Sequence, residues 1–132
     1  MNAIETGIYS ALSGDTAIYA AIGSTAVYNR AAPQGTARPY IVFFHAGGGH
    51  ENINPSDMQN HLYLAKAVAD TPLSAGTIDG LMTTALHKQT LTVSGFTNFW
   101  TAREQEVQIT ETAADGTIIY HTGAYYRIRI DS

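Results

Sequence analysis

Residues 126–131 alternate between a large apolar side chain and a charged one, in the order Tyr126, Arg127, Ile128, Arg129, Ile130 and Asp131. Successive side chains of a β-strand point to opposite faces of a sheet, so this pattern predicts a strand with one buried face and one solvated face. Such a strand is stable only when other strands pair with it and a second layer covers its apolar face. The rest of the sequence must supply both.

Several other segments predict strands. Residues 40–45 are rich in β-branched and aromatic side chains, which favours a buried strand. Residues 59–69 fit a strand slightly better than a helix, because Leu62, Leu64, Lys66 and Val68 alternate with other side chains. Shorter strand-like segments are residues 26–28, 91–93 and 107–109, and Asp115-Gly116 is a turn signal.

Two short helices, or one broken helix, are predicted in the first quarter of the chain. Ile4, Ile8 and Leu12 recur on one helical face, with Asn2 as the expected N-cap and Glu5 at the reciprocal capping position. The second segment has Asp15 as its N-cap and Gly23 as its stop.

A third helix is predicted near the middle of the chain. Ser74 or Thr77 can cap it, and His87-Lys88 place hydrogen-bond donors at its C-terminal end. Its apolar face consists of Ile78, Leu81, Met82, Ala85 and Leu86. Helices and strands are segregated rather than alternating, so we predict an α+β fold: a mostly antiparallel sheet packed against two to three helices. The length of 132 residues predicts a single domain, residues 1–132.

Charge narrows the range of partners. Only 14% of residues are charged, against roughly 25% in typical soluble domains, and such a surface suits contacts with other subunits. The net charge of −4 argues against general attraction to DNA or to an anionic membrane. There is no cysteine for a disulfide or a thiol site, and neither a membrane helix nor an export signal is predicted.

Residues 46–57 are rich in Gly, Asn and Pro and are expected to form one long loop. An apolar strand that runs into His45 and three glycines also resembles the oxyanion-hole segment of esterases. That chemistry needs a serine in a Gly-x-Ser-x-Gly elbow, and no serine here has that setting. A small hydrolase that uses His45 and His50 therefore stays only a remote alternative.

Other candidate chemistry is explained more simply. The five histidines lack the paired spacing of metal sites, so surface or capping roles are expected for them, and neither a metal nor another cofactor is predicted. Glu104 and Glu106 are expected on one face of a strand, where cross-strand ion pairs with Arg127 or Arg129 are more plausible than acid–base catalysis. No catalytic residue is predicted.

The ordered segments resemble the tail-completion, or tail-terminator, family of long-tailed bacteriophages. The resemblance covers nearly the full length and includes the N-terminal pattern IYSALSGDTAIYAAIG, the helix around IDGLMTTALH and the final hairpin TIIYHTGAYYRIRI. The most specific element is APQGTARPYIVFF, in which an APQG turn precedes a strand similar to PYVVF. The triple glycine departs from what this family leads one to expect.

The resemblance implies a non-enzymatic virion subunit that forms a ring, expected to be a hexamer, at the neck or top of the tail after assembly in the host cytoplasm. The implied partners are further copies of the chain, the tail tube protein and the head–tail connector protein, with DNA passing through the ring without specific binding and no membrane contact. Another neck or connector protein is the main alternative. Because long polar loops often carry function, we expect the contact with a neighbouring subunit or the tail at Gly47, Gly48, Gly49, His50, Glu51, Asn52 and Asn54.

Overall fold

The computed structural model describes all residues, Met1–Ser132, and contains three helices and five strands. They are α1 (Asn2–Ser13), α2 (Thr16–Ile22), β1 (Val27–Asn29), β2 (Tyr40–His50), β3 (Gln59–Ala69), α3 (Pro72–Leu86), β4 (Thr97–Thr112) and β5 (Ile118–Asp131). This arrangement confirms the predicted α+β fold with a mostly antiparallel sheet. None of the three helices is long and apolar enough to span a lipid bilayer.

The five strands form one sheet in the order β1-β2-β3-β5-β4. Only β1 and β2 run parallel; every other neighbouring pair is antiparallel. The central pair is β3 with β5, whose register runs without interruption from Gln59 opposite Ile130 to Ala69 opposite Tyr120. Residues 59–69, which fitted a strand only slightly better than a helix, are therefore the middle of the sheet.

The three helices pack against one face of this sheet. Their apolar stripes meet every second residue of the central strands, as the alternation in residues 126–131 predicts. The largest side chains buried in this layer are Tyr63, Tyr126 and Phe43, each about 1% exposed. The helices contribute Ile4, Ile8, Leu12, Ile18, Ile22, Ile78, Met82 and Leu86.

The helix boundaries agree with the sequence only in part. Asp15 caps α2 by accepting a hydrogen bond from the Ile18 N–H at 2.9 Å, and Gly23 ends it in the left-handed conformation, both as predicted. Asn2 does not cap α1; it is the first helical residue, and the cap position, Met1, makes no side-chain bond. The Glu5 carboxylate instead accepts from the Met1 amine.

Helix α3 begins earlier than the predicted caps. Thr71 is its N-cap, and the Thr71 hydroxyl accepts from the Ser74 N–H at 3.1 Å. Pro72 fits the first turn because its missing N–H has no helical partner there in any case. Ser74 and Thr77 therefore lie inside the helix rather than at its start, while His87 is its C-cap.

The prediction of one loop over residues 46–57 is wrong in its first half. Strand β2 continues through the glycines, which pair with β3 from Gly47 opposite Leu62 to His50 opposite Gln59. The composition suggested a loop because glycine is unfavourable in strands in general, whereas here pairing with β3 holds the segment extended, and at one of the glycines the neighbouring backbone leaves no room for a side chain. At Gly48, where φ is +89°, an added Cβ would collide with the carbonyl of Asn60.

The end of the chain forms a single long hairpin rather than several short strands. Strands β4 and β5 are joined by a tight turn in which the Gly116 N–H donates to the Ala113 carbonyl at 2.9 Å, so the Asp115-Gly116 signal is confirmed. Leu91 and Val93, predicted as strand residues, are buried in the irregular connection between α3 and β4. Their alternation reflects packing under a loop rather than sheet pairing.

Candidate assembly surface of the sheet

The residues predicted to contact a neighbour lie together at one end of the β2–β3 hairpin. Gly47, Gly48, Gly49 and His50 belong to β2, and the other three belong to the connection between the strands, namely Glu51, Asn52 and Asn54. The Glu51 N–H donates to the Met58 carbonyl at 2.9 Å and closes the base of that connection. Most of its residues are exposed, including the side chain of Ile53, 53% of which reaches solvent.

Strand β2 has a free outer edge along these residues. On that side β1 pairs only with the stretch from Ile41 to Phe43, after which the Arg30 N–H donates to the Phe43 carbonyl at 2.7 Å. From residue 44 to residue 50 no backbone group bonds to anything but β3 on the other side. A shallow cleft lined by Arg30, Phe44 and His45 lies beside the free stretch.

Strand β4 has the second free edge, and its two halves differ. The first half is covered by the segment that follows α3: the Lys88 N–H donates to the Thr101 carbonyl at 2.7 Å, and the Arg103 N–H donates to the His87 ring at 2.9 Å. Residues 104–112 have no partner on their outer side, and all but one are exposed. The sheet therefore ends in one free stretch on each border.

Two histidines that are far apart in sequence meet across β2 and β3. The His61 Nε2–H donates to the Gln59 side-chain oxygen at 2.8 Å, which leaves His61 Nδ1 to accept from His45 Nε2 at 3.0 Å. Burial and the neighbouring His45 ring lower the pKa of His61 to about 4, so its ring is neutral at pH 7. Sequence reasoning missed this pair because it depends on the strand register.

The remaining histidines have separate partners. His50 lies 3.5 Å from Asp57, while His45 hydrogen-bonds to His61 and not to His50. His121 bonds to Glu111 at 2.7 Å. His87 lies at the end of α3 as predicted, but its ring accepts a hydrogen bond from the Arg103 N–H rather than donating to the helix. The histidines and carboxylates form no group of three or more with metal-ligating geometry.

The structure does not assemble an oxyanion hole from the glycines. They lie within a strand, where successive N–H groups point to alternate sides and do not converge on one atom. No histidine hydrogen-bonds to a serine; the bonds of His45 and His61 are to each other and to Gln59.

The carboxylates of β4 form ion pairs. Glu104 holds the Arg127 guanidinium through two bonds of 3.0 and 3.1 Å, which confirms the predicted cross-strand pair. Glu106 lies 3.6 Å from Arg103, on the far side of a β-bulge between residues 103 and 106. The bulge gives the two glutamates different partners.

A buried ion pair, not anticipated from the sequence, fastens α3 to the sheet. Arg103 donates two hydrogen bonds of 2.9 Å to the Asp79 carboxylate, and it also reaches the hydroxyls of Thr83 and Tyr126. Its bonds to Asp79 raise the pKa of the guanidinium above its usual value. The only sign of this ion pair in the sequence is Asp79, an acidic residue on the otherwise apolar inner face of the helix.

The family model described as "Tail completion protein gp17" matches residues 6–130. The chain belongs to the tail completion family. This match extends from within α1 to the penultimate residue of β5, so it includes all or most of every strand and helix described above. As a family member, the chain is a structural protein of the virion in the tail or head–tail region.

The fold of this tail completion family member is also found in a chain of a solved structure titled "Virion of native gene transfer agent (GTA) particle". The two chains are 17% identical, and the match covers 96% of this chain and 93% of the other with a TM-score of 0.75. At that identity the likeness shows a shared fold. No curated protein matches the sequence of this family member.

Proposed function

We propose that residues 1–132 act as a single domain that assembles into a hexameric ring, caps the tail tube, stops its growth and provides the surface on which the filled head docks. The observation that carries the proposal is the match to the tail completion family over residues 6–130. Assembly takes place in the host cytoplasm, and the finished ring occupies the neck of the virion. Its partners are other copies, the tail tube protein and the head–tail connector protein.

The surface of the subunit supports a ring. A ring needs two different surfaces that meet head to tail, and the sheet has two different free edges. Low charge reduces the cost of desolvating such surfaces when they meet. The predicted contact residues 47–52 and Asn54 lie at one of these edges or directly after it.

We also propose that the ring has no enzymatic role and lets DNA pass without gripping it. The net charge of −4 disfavours tight contact with phosphates. The purified ring is expected to bind double-stranded DNA weakly in a fluorescence anisotropy titration. High affinity for DNA that falls steeply with salt would contradict the proposal that the ring does not bind the DNA passing through it.

The decisive experiment is native mass measurement of the purified protein, alone and mixed with phage tails that lack their terminator. A ring that binds the tail end and restores joining to filled heads supports the terminator role. A protein that ignores tails and binds the portal side of heads is instead a connector. Binding to neither would overturn both roles, and ester hydrolysis that depends on His45 or His50 would then favour the hydrolase.

A further inference from the structure

The two free edges of the sheet differ in a way that makes them complementary. Along residues 44–50 of β2 the backbone N–H and C=O groups on the outer side lack partners. Along residues 104–112 of β4 the same is true on the opposite border of the sheet. Unpaired edges of this kind are templates for another strand.

The β2 edge is open to a close approach. Three consecutive glycines, Gly47, Gly48 and Gly49, leave this part of the edge without side chains, and residues 44–50 contain no proline or lysine that would obstruct pairing. The basic group beside it is Arg30, which takes part in no ion pair. No acidic residue occurs in residues 44–50.

The β4 edge has the opposite character. Residues 104–112 contain three glutamates and no lysine or arginine. The side chains of Glu104, Glu106 and Glu111 are 42%, 59% and 54% exposed, so each retains oxygen atoms available to a further partner. The remaining residues of the stretch, which include Val107 and Ile109, suit a strand.

We infer that the free edge of β4 in one copy pairs with the free edge of β2 in the next, so that the sheets of neighbouring subunits join around the ring. The inference rests on the proposed ring function and names the surfaces that build it. Because the edges lie on opposite borders of one sheet, each copy uses both, and the contact repeats with the same geometry until the ring closes.

A second copy is the occupant that these observations favour. Its acidic strand complements the Arg30 side of the β2 edge, and self-pairing satisfies both edges of every subunit at once. A strand from a different protein on β2 would leave residues 104–112 of each copy exposed. This pairing requires that β2 continue as a strand to His50, because a flexible loop would not present a regular row of backbone hydrogen-bonding groups.

Hydrogen exchange of the purified protein, dilute as a monomer and concentrated as a ring, tests the inference directly. The outward amides in residues 44–50 and 104–112 are expected to exchange at least about tenfold more slowly in the ring. Amides in the middle of β5, bonded on both sides in the monomer, serve as the internal control. Unchanged exchange at both edges, or protection of β2 only after tails are added, would overturn the inference.

Cross-linking gives a second measurement, because the chain contains no cysteine of its own. Protein carrying Gly49→Cys, mixed with protein carrying Gln108→Cys and treated with a short bismaleimide, is expected to give covalent dimers. Gly49→Cys mixed with Thr84→Cys, an exposed site on α3, is the matched control and should give background only. Equal yields in the two mixtures would contradict edge pairing.

Charge-reversal variants distinguish a failure of the edge pairing from a failure of the proposed ring function. Arg30→Glu is expected to shift the midpoint of ring assembly at least about tenfold toward higher concentration. Glu106→Arg in the same chain is expected to recover part of that loss. A ring that persists by native mass with neither edge protected refutes the edge pairing alone. A protein that stays monomeric and ignores tails refutes the ring function as well.

Discussion

Asp79 and Arg103 form the most consequential side-chain contact in the subunit. The pair is largely shielded from water, with 8% of the Asp79 side chain and 19% of the Arg103 side chain exposed. Removing Asp79 leaves the largely buried Arg103 charge with only the exposed Glu106 carboxylate, 3.6 Å away, as an acidic partner. The contact therefore bears on stability far more than the exposed pair of Glu104 and Arg127 on the same sheet.

We predict that Asp79→Ala lowers the free energy of unfolding by about 3 kcal/mol, since a guanidinium is then left in a poorly solvated site. Urea denaturation of the monomer measures this. Glu104→Ala, which breaks the exposed pair, is the control and should cost less than about 1 kcal/mol. Equal losses of unfolding free energy in the two variants would show that burial does not increase the contribution of the Asp79–Arg103 pair to stability.

His61 predicts a pH dependence of stability. Its pKa is about 4 in the folded protein and 6.5 for an ordinary histidine, so between these values the unfolded chain binds a proton that the folded chain does not. Stability is therefore expected to fall as the pH is lowered from 6.5 toward 4. Urea midpoints from pH 7 to pH 5 should decline less in His61→Gln, while His50→Gln, an exposed control, should follow the wild type.

At the scale of elements, the glycines of β2 are not interchangeable. Gly48 combines a left-handed φ of +89° with close contact to the Asn60 carbonyl, whereas an added Cβ at Gly49 meets nothing within 4 Å. We predict that Gly48→Ala destabilises the monomer by about 1–3 kcal/mol, because both strain and collision oppose it. Gly49→Ala should change stability by less than about 0.5 kcal/mol in the same urea titration.

The elements also show where the sequence was informative. Local chemistry was enough for the Asp15 cap, the Gly23 stop and the Asp115-Gly116 turn, because each depends on a few neighbouring residues. The glycine half of β2 was not predictable, since its extended shape comes from pairing with β3 rather than from its own preference.

Much of the candidate assembly surface depends on long-range register in the same way. The seven residues expected at the contact with a neighbour do lie together, because they are adjacent in sequence. The pairing of His45 with His61 and that of Asp79 with Arg103 join residues from different elements. Neither pair has a spacing in the sequence that reveals it before the strand order is known.

At the scale of the whole molecule, two free edges per subunit predict cooperative closure. An open chain of copies has one interface fewer than a closed ring of the same number, so closing the ring adds a contact without adding a subunit. Native mass measurements over a dilution series should therefore show monomers and complete rings with few intermediates. A continuous ladder of dimers, trimers and larger open chains would contradict closure by these edges.

The position of β5 inside the sheet affects how the protein is made. Strand β5 pairs with β3 on one side and β4 on the other, so neither neighbour is complete before residues 118–131 are present. During translation, residues 118–131 must leave the ribosome before β3 can pair with its second neighbouring strand. Until then β4 has no strand to pair with. The β4–β5 hairpin is local, but the pairing of β3 with β5 is distant in sequence, so it is slower to form and leaves apolar surface exposed meanwhile. A chain that stops before β5 therefore lacks the strand that joins β3 to β4 and completes the sheet.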